Sequence, residues 1–139
     1  MFKQSKGLNM IVGLGTDIID NRRIEKTIIR FGSKFKKRCF LINEIKKSEK
    51  RLKQINYFAK RYAAKEACAK ALGTGLAKGV FWKDIEVFND TNGKPFIKLH
   101  NNALRLLNKN FNFPCKIEIS LSDEKYYSIA NVIIFKHEK

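Results

Sequence analysis

Two carboxylates in this 139-residue chain stand where carboxylates are uncommon. Asp17 lies at the end of an apolar, β-branched run. Glu66 lies in the middle of an alanine-rich helical stretch, among Lys60, Arg61, Lys65 and Lys70. Ionised carboxylates seldom sit in buried strands without a counter-charge or a metal. Two hard oxygens from separate elements make a partial shell suited to Mg²⁺, which keeps waters and takes phosphate oxygens as further ligands. A plainer reading of the same residues is that Glu66 pairs with Lys70 one turn on, and that Asp17 caps the helix that follows. The residue types alone leave both readings open. Gly73-Thr74-Gly75 comes soon after Lys70, and cations beside a glycine-rich turn can hold a diphosphate, because backbone amides approach closely where no Cβ intervenes. This turn follows its helix instead of preceding it. The helix dipole therefore repels an anion there, and side-chain cations or a metal must attract it.

The elements that must position these groups are legible from periodicity and turn signals. Met10–Ile19 reads as a buried strand carrying Gly13 and Gly15. Asp20 or Asn21 can cap a helix running to about Phe31, and Gly32-Ser33 breaks it. Lys34–Leu41 reads as a short basic helix, and Asn43 caps another from Glu44 to about Leu52. Gln54–Leu72 is the longest helical signal, its alanines favouring helix and allowing close packing. Phe81–Phe88 and Pro95–Leu99 read as a hairpin around the Asn89–Gly93 turn cluster, Asn101–Lys109 as a short amphipathic helix, and Lys116–Ser122 and Tyr126–Phe135 as two final strands. Helices crowd the first half and strands the second. The chain is thus expected to be α+β, a single domain over residues 10–136, with residues 1–9 as an N-terminal extension.

The balance of 29 lysines and arginines against 13 acids gives +16, which predicts an anionic partner: nucleic acid, anionic membrane, phosphorylated ligand or acidic protein. A nucleic-acid module is the rival reading from another class, but the basic residues are scattered and no helix-turn-helix, zinc finger or RNP sequence occurs. No apolar run approaches the ~20 residues of a membrane span. The apolar stretch after Lys3 and Lys6 reads better as the first strand than as a signal peptide. Cys39, Cys68 and Cys115 are widely spaced and odd in number, as expected of reduced core residues in a cytoplasmic protein. His100, at a strand end, reads as a surface residue.

The motifs resemble a known family. Gly13-Leu-Gly-Thr-Asp-Ile-Ile19 followed by Arg23-Ile24 resembles the opening motif of the holo-[acyl-carrier-protein] synthases. Arg61-Tyr-Ala-Ala-Lys-Glu-Ala-Cys-Ala-Lys-Ala-Leu-Gly-Thr-Gly75 resembles their second signature, Asn92-Gly-Lys-Pro95 their hairpin turn, and Leu121-Ser-Asp-Glu-Lys-Tyr-Tyr127 with the strand after it their closing strands. The matches fall in order over nearly all of residues 10–135. The resemblance implies a 4'-phosphopantetheinyl transferase fold and a Mg²⁺-dependent transfer of phosphopantetheine from coenzyme A to a serine of apo-acyl carrier protein, leaving adenosine 3',5'-bisphosphate, in support of fatty acid synthesis. It implies Asp17 and Glu66 as Mg²⁺ ligands and Lys70 beside them at the reacting phosphate. It implies Arg61, Lys65, Lys70 and the turn Gly73, Thr74, Gly75 at coenzyme A, and a homotrimer with the active site between neighbouring subunits. An acidic, helical carrier gives the cations of the first helix a destination: Arg22, Arg23 and Lys26, with Arg23 foremost. Many relatives carry histidines flanking the Ser-x-Ser strand. Here Glu118 and Asp123 stand in those places, so no proton role passes from histidine. Asp123, Glu118 and a metal-bound water remain equal candidates for the base.

Overall fold

A computed structural model of the chain describes residues 10–137, so the expected extension at residues 1–9 lies outside the described part. The first strand, β1 (Ile11–Asp20), pairs antiparallel with the last, β5 (Tyr127–Lys136), which pairs antiparallel with β4 (Cys115–Asp123); the sheet order is β1-β5-β4. Between them come α1 (Asn21–Phe31), α2 (Ser33–Cys39), α3 (Ile42–Glu49) and α4 (Gln54–Ala71). A 3₁₀ turn (Trp82–Asp84), the separate hairpin β2 (Ile85–Asn89) and β3 (Pro95–Leu99), and α5 (Asn101–Asn110) follow. The α+β expectation holds.

Helix α4 lies across one face of the sheet, and its alanines 59, 63, 64, 67, 69 and 71 are all buried. The contact is made possible by the two glycines of β1. A methyl group at Gly13 would run into the carbonyl oxygen of Ala71, and one at Gly15 into that of Ala67. Glycine here serves close backbone approach rather than a special dihedral. The period of the strands does the rest. Ile19, Ala130, Val132 and Ile134 face α4 and are buried, whereas Leu14 and Ile18 point to the opposite face and are 69% and 64% exposed. Ile129 and Ile133, on that second face, are half-buried. One side of the sheet is thus a finished core, and the other is an apolar surface that nothing among the described residues covers.

Helix α1 leaves β1 at a fixed angle. Asp20 caps it by accepting from the amide of Arg22, and Asn21 is buried, its amide donating to the Tyr126 carbonyl at 2.7 Å and its side chain accepting from Ser128 Oγ at 2.7 Å. Two elements depart from expectation. The segment from Phe81 is not strand at its start, because the Asp84 carboxylate accepts from the Phe81 amide at 3.0 Å and closes a 3₁₀ turn before β2. Helix α3 begins at Ile42 and ends at Glu49; the Glu44 carboxylate reaches back to the Leu41 amide at 2.8 Å, taking the role expected of Asn43. Cys39 and Cys68 are buried as expected, but Cys115, at the start of β4, is only half-buried.

Candidate active site

Residue 17 follows the two glycines in the register that faces α4, and residue 66 lies on the α4 face toward β1. The close approach at Gly15 and Ala67 therefore brings Asp17 and Glu66 into one electrostatic neighbourhood. Burial raises the proton affinity of Glu66 above that of an ordinary carboxyl. The charge of Asp17 raises it further, against opposing pulls from Lys70 and Arg23. A carboxylate held against its ionisation beside a second one is what a divalent cation relieves. The donor set is all oxygen. No cluster of three or more His, Cys, Asp or Glu forms among the described residues, so water and substrate oxygens would complete a shell. That composition fits Mg²⁺.

Lys70 joins this pair from the side. Its ammonium donates to Asp17 Oδ1 at 3.1 Å and to the Thr16 carbonyl at 3.0 Å. Both parts of the plainer reading thereby fail. Lys70 pairs with Asp17 and not with Glu66, and the cap of α1 is Asp20 and not Asp17.

Arg61 occupies a different side of α4. It is 2% exposed, its Nη2 donates to Asn89 Oδ1 at 3.1 Å, its guanidinium lies 5.1 Å from the centre of the Tyr57 ring, and its Nε has no acceptor among the described residues. Burial lowers its proton affinity, and the charge of Glu44 partly offsets that. It lines a cavity of about 260 Å³ with Tyr57, Asn89, Gly93 and Ser120. A second recess of about 420 Å³ shares Tyr57, Asn89 and Gly93 and adds Lys47, Lys50 and Arg51. The hairpin turn that walls both is held by Asp90, which accepts from the amides of Asn92 and Lys94 at 2.9 Å each. A buried, incompletely partnered guanidinium beside a lysine- and arginine-lined recess is suited to phosphate.

Two expected donor-binding groups are engaged elsewhere. Lys65, expected at coenzyme A, is 0% exposed and forms an ion pair with Glu44 at 2.8 Å. The amides of Gly73, Thr74 and Gly75 donate to the carbonyls of Lys70 and Ala69, closing the end of α4. Gly73 and Gly75 take positive φ to do so, so the turn caps the helix and offers no free amide cradle.

On α1, Arg22 folds back onto Asp20 through Nε at 2.9 Å and Nη2 at 2.7 Å and lies over the Tyr126 ring. Arg23 and Lys26 are exposed and have no ion pair among the described residues; with Arg30 and Phe31 they line a groove of about 470 Å³. Of the residues in the histidine positions, Asp123 accepts from Asn56 at 2.8 Å and pairs with Lys60 at 3.2 Å. Burial works against its ionisation, but these two partners outweigh it and hold its carboxyl below the usual range. Glu118 pairs with Lys94 at 3.6 Å. His100 is half-buried, 3.6 Å from Glu86. Glu44, Asn89 and Asn56 escaped the sequence reading. A polar residue in a turn or a basic stretch carries no periodic mark of the partner it will meet.

Comparison with known proteins identifies the family. The family model of the 4'-phosphopantetheinyl transferase superfamily matches residues 13–130. The holo-[acyl-carrier-protein] synthase of Rhizobium rhizogenes is 49% identical over 127 residues, covering 90% of this chain and 95% of that protein. Among solved structures, the holo-[acyl-carrier-protein] synthase of Neisseria meningitidis superposes with a TM-score of 0.79 at 36% identity, covering 94% of this chain and all of the other. That of Bacillus anthracis, in complex with CoA (3',5'-ADP), gives 0.74 at 36% identity over 91% of this chain and 98% of the other. The chain belongs to the 4'-phosphopantetheinyl transferase superfamily, and within it to the holo-[acyl-carrier-protein] synthases.

Proposed function

We propose that this protein transfers 4'-phosphopantetheine from coenzyme A to a serine of apo-acyl carrier protein in a Mg²⁺-dependent reaction that releases adenosine 3',5'-bisphosphate. The observation that carries the reading is the meeting of Asp17 on β1 with Glu66 on α4, with the Lys70 ammonium on Asp17. The serine oxygen bonds to the β-phosphorus, the bond from that phosphorus to the bridging oxygen breaks, and the serine proton is released. Such transfers need positioning and charge neutralisation more than covalent help. Mg²⁺ held by Asp17 and Glu66 would neutralise the diphosphate and favour departure of the leaving oxygen. Lys70 adds a second positive charge at the same place, and the Arg61 recess holds a phosphate of coenzyme A. The stabilised carboxylate of Asp123 is a weak base, which lowers its standing among the three candidates for the serine proton.

Arg61 and Glu66 are five residues apart, which at 100° per residue sets them on different sides of α4. A donor held in one subunit's recess and served by a neighbour's carboxylates satisfies both. The uncovered apolar sheet face around Leu14 and Ile18 supports the same arrangement, a homotrimer with shared sites. The carrier docks on α1 through Arg23 and Lys26, beside the exposed Ile29 and Phe31. No helix among the described residues is long and apolar enough to cross a membrane; a cytoplasmic location follows from the proposed substrates. The test is intact mass spectrometry of apo-carrier incubated with the protein, coenzyme A and Mg²⁺. A gain of one phosphopantetheine is expected. An unchanged carrier mass, with the protein folded, would overturn the reading.

A further inference from the structure

The Lys65–Glu44 ion pair lies wholly inside the protein, its side chains 0% and 1% exposed. The Lys65 ammonium donates to Glu44 Oε1 at 2.8 Å, to the Trp82 carbonyl at 3.0 Å and to the Ile85 carbonyl, so each of its three protons has an acceptor. Glu44 also accepts from the amides of Leu41 at 2.8 Å and Val87 at 3.1 Å. These bonds join the start of α3, the middle of α4, the 3₁₀ turn and β2. A phosphate could reach Lys65 only by displacing an interior carboxylate.

A buried ion pair is a weak source of stability, since an apolar replacement is often as stable. Its content here is orientation. The alanine surface of α4 is smooth, and small side chains resist rotation or sliding of a helix poorly. Phe58, Arg61 and Lys65 are the long side chains that α4 buries among them, and Lys65 ends on an interior carboxylate and two backbone carbonyls. At 100° per residue, Glu66 follows it around toward β1, while Arg61, four residues earlier, lies only about 40° from it, toward β2. We propose that Glu44 and Lys65 are positioning residues. Their pair fixes the rotation and height of α4, so that Glu66 meets Asp17 while Arg61 meets Asn89. Neither touches substrate. This inference rests on the reading that Asp17 and Glu66 bind the metal.

The test uses Glu44→Gln/Lys65→Met, which preserves net charge and approximate shape, and Glu44→Gln alone, which preserves Lys65 itself. Thermal melting, Mn²⁺ affinity by electron paramagnetic resonance without coenzyme A or carrier, and kcat and KM for both substrates are measured. Both variants are expected to fold. kcat and Mn²⁺ affinity should each fall about 10- to 100-fold, as when a group that orients a ligand is lost, while KM for carrier stays unchanged. If the double variant fails to fold, Glu44→Gln decides. Native kcat and native Mn²⁺ affinity in a folded variant would overturn the proposal. So would weaker coenzyme A binding by calorimetry with Mn²⁺ affinity intact and confined to the Lys65 variant, which would make Lys65 a donor ligand. Glu66→Gln in the same assay reports on the metal reading separately. If Mn²⁺ binding survives that change, the metal site is wrong, and positioning is judged on kcat alone.

Discussion

The Lys70 ammonium reaches from α4 across to β1 and bonds Asp17 Oδ1 at 3.1 Å, leaving Glu66, one turn away on its own helix, without an ion pair among the described residues. The consequence is an imbalance. One carboxylate of the pair is neutralised, and the other is held against its own ionisation by burial and by Asp17.

That imbalance predicts a pH signature. The folded-state proton affinity of Glu66 is raised above that of an ordinary glutamate, about 4.3. The folded state therefore binds more protons than the unfolded one over the window above that value, and stability falls as pH rises through it. In metal-free protein, Glu66→Gln should raise the melting temperature at neutral pH, and the gain should vanish below about pH 4. Added Mg²⁺ should stabilise the native protein and leave the variant unchanged. Melting curves across pH with a chelator, then with Mg²⁺, check both.

For the reaction, Asp17→Asn and Glu66→Gln should each lower kcat by at least about 100-fold, the loss of several kcal/mol of charge stabilisation. Steady-state kinetics at saturating Mg²⁺, on variants shown to be folded by circular dichroism, measure this. Near-native rates in both would remove these residues from the metal.

Gly15→Ala should damage the fold and the site together. The added methyl meets the Ala67 carbonyl, a backbone atom inside a helix that cannot move aside alone. The expected cost is about 1–3 kcal/mol in urea unfolding, with lower activity in the surviving folded fraction. A variant as stable and active as the native protein would show that β1 and α4 do not need this approach.

Arg22 and Arg23 should separate, although they are neighbours in sequence. Arg22 is folded onto the cap residue Asp20, so Arg22→Ala should lower the melting temperature slightly and leave kinetics near native. Arg23 is exposed, so Arg23→Glu should raise KM for carrier steeply, about 2 kcal/mol or more if the pair it makes is buried, while coenzyme A affinity stays unchanged. Carrier kinetics beside calorimetry with coenzyme A distinguish the two.

The apolar sheet face predicts association. Light scattering should give about three times 16.1 kDa for the native protein, and Ile18→Lys should yield smaller species with reduced activity. A fully active native monomer would contradict the shared site.

Fold class, element order and the carboxylates of interest were legible in the sequence, because each rests on local signals. Alanine content marks α4, β-branched runs mark β1 and β5, and the glycines before Asp17 mark a strand that must come close to something. What the sequence left open was which charge meets which. The i,i+4 spacing of Glu66 and Lys70 pointed to an ion pair that the folded protein does not make, because β1 presents Asp17 and the Thr16 carbonyl to the same ammonium. Lys65 and Lys70 read alike as lysines of one basic helix. Their fates differ because they lie five residues apart and face opposite layers, one toward an interior carboxylate on α3 and the other toward the sheet. Gly73-Thr74-Gly75 was legible as the end of α4, and the structure adds that all three of its amides are taken by carbonyls of that helix. Helical and strand periods are properties of neighbouring residues, whereas the partner of a charged side chain is set by which elements pack against it, and only the tertiary structure decides that.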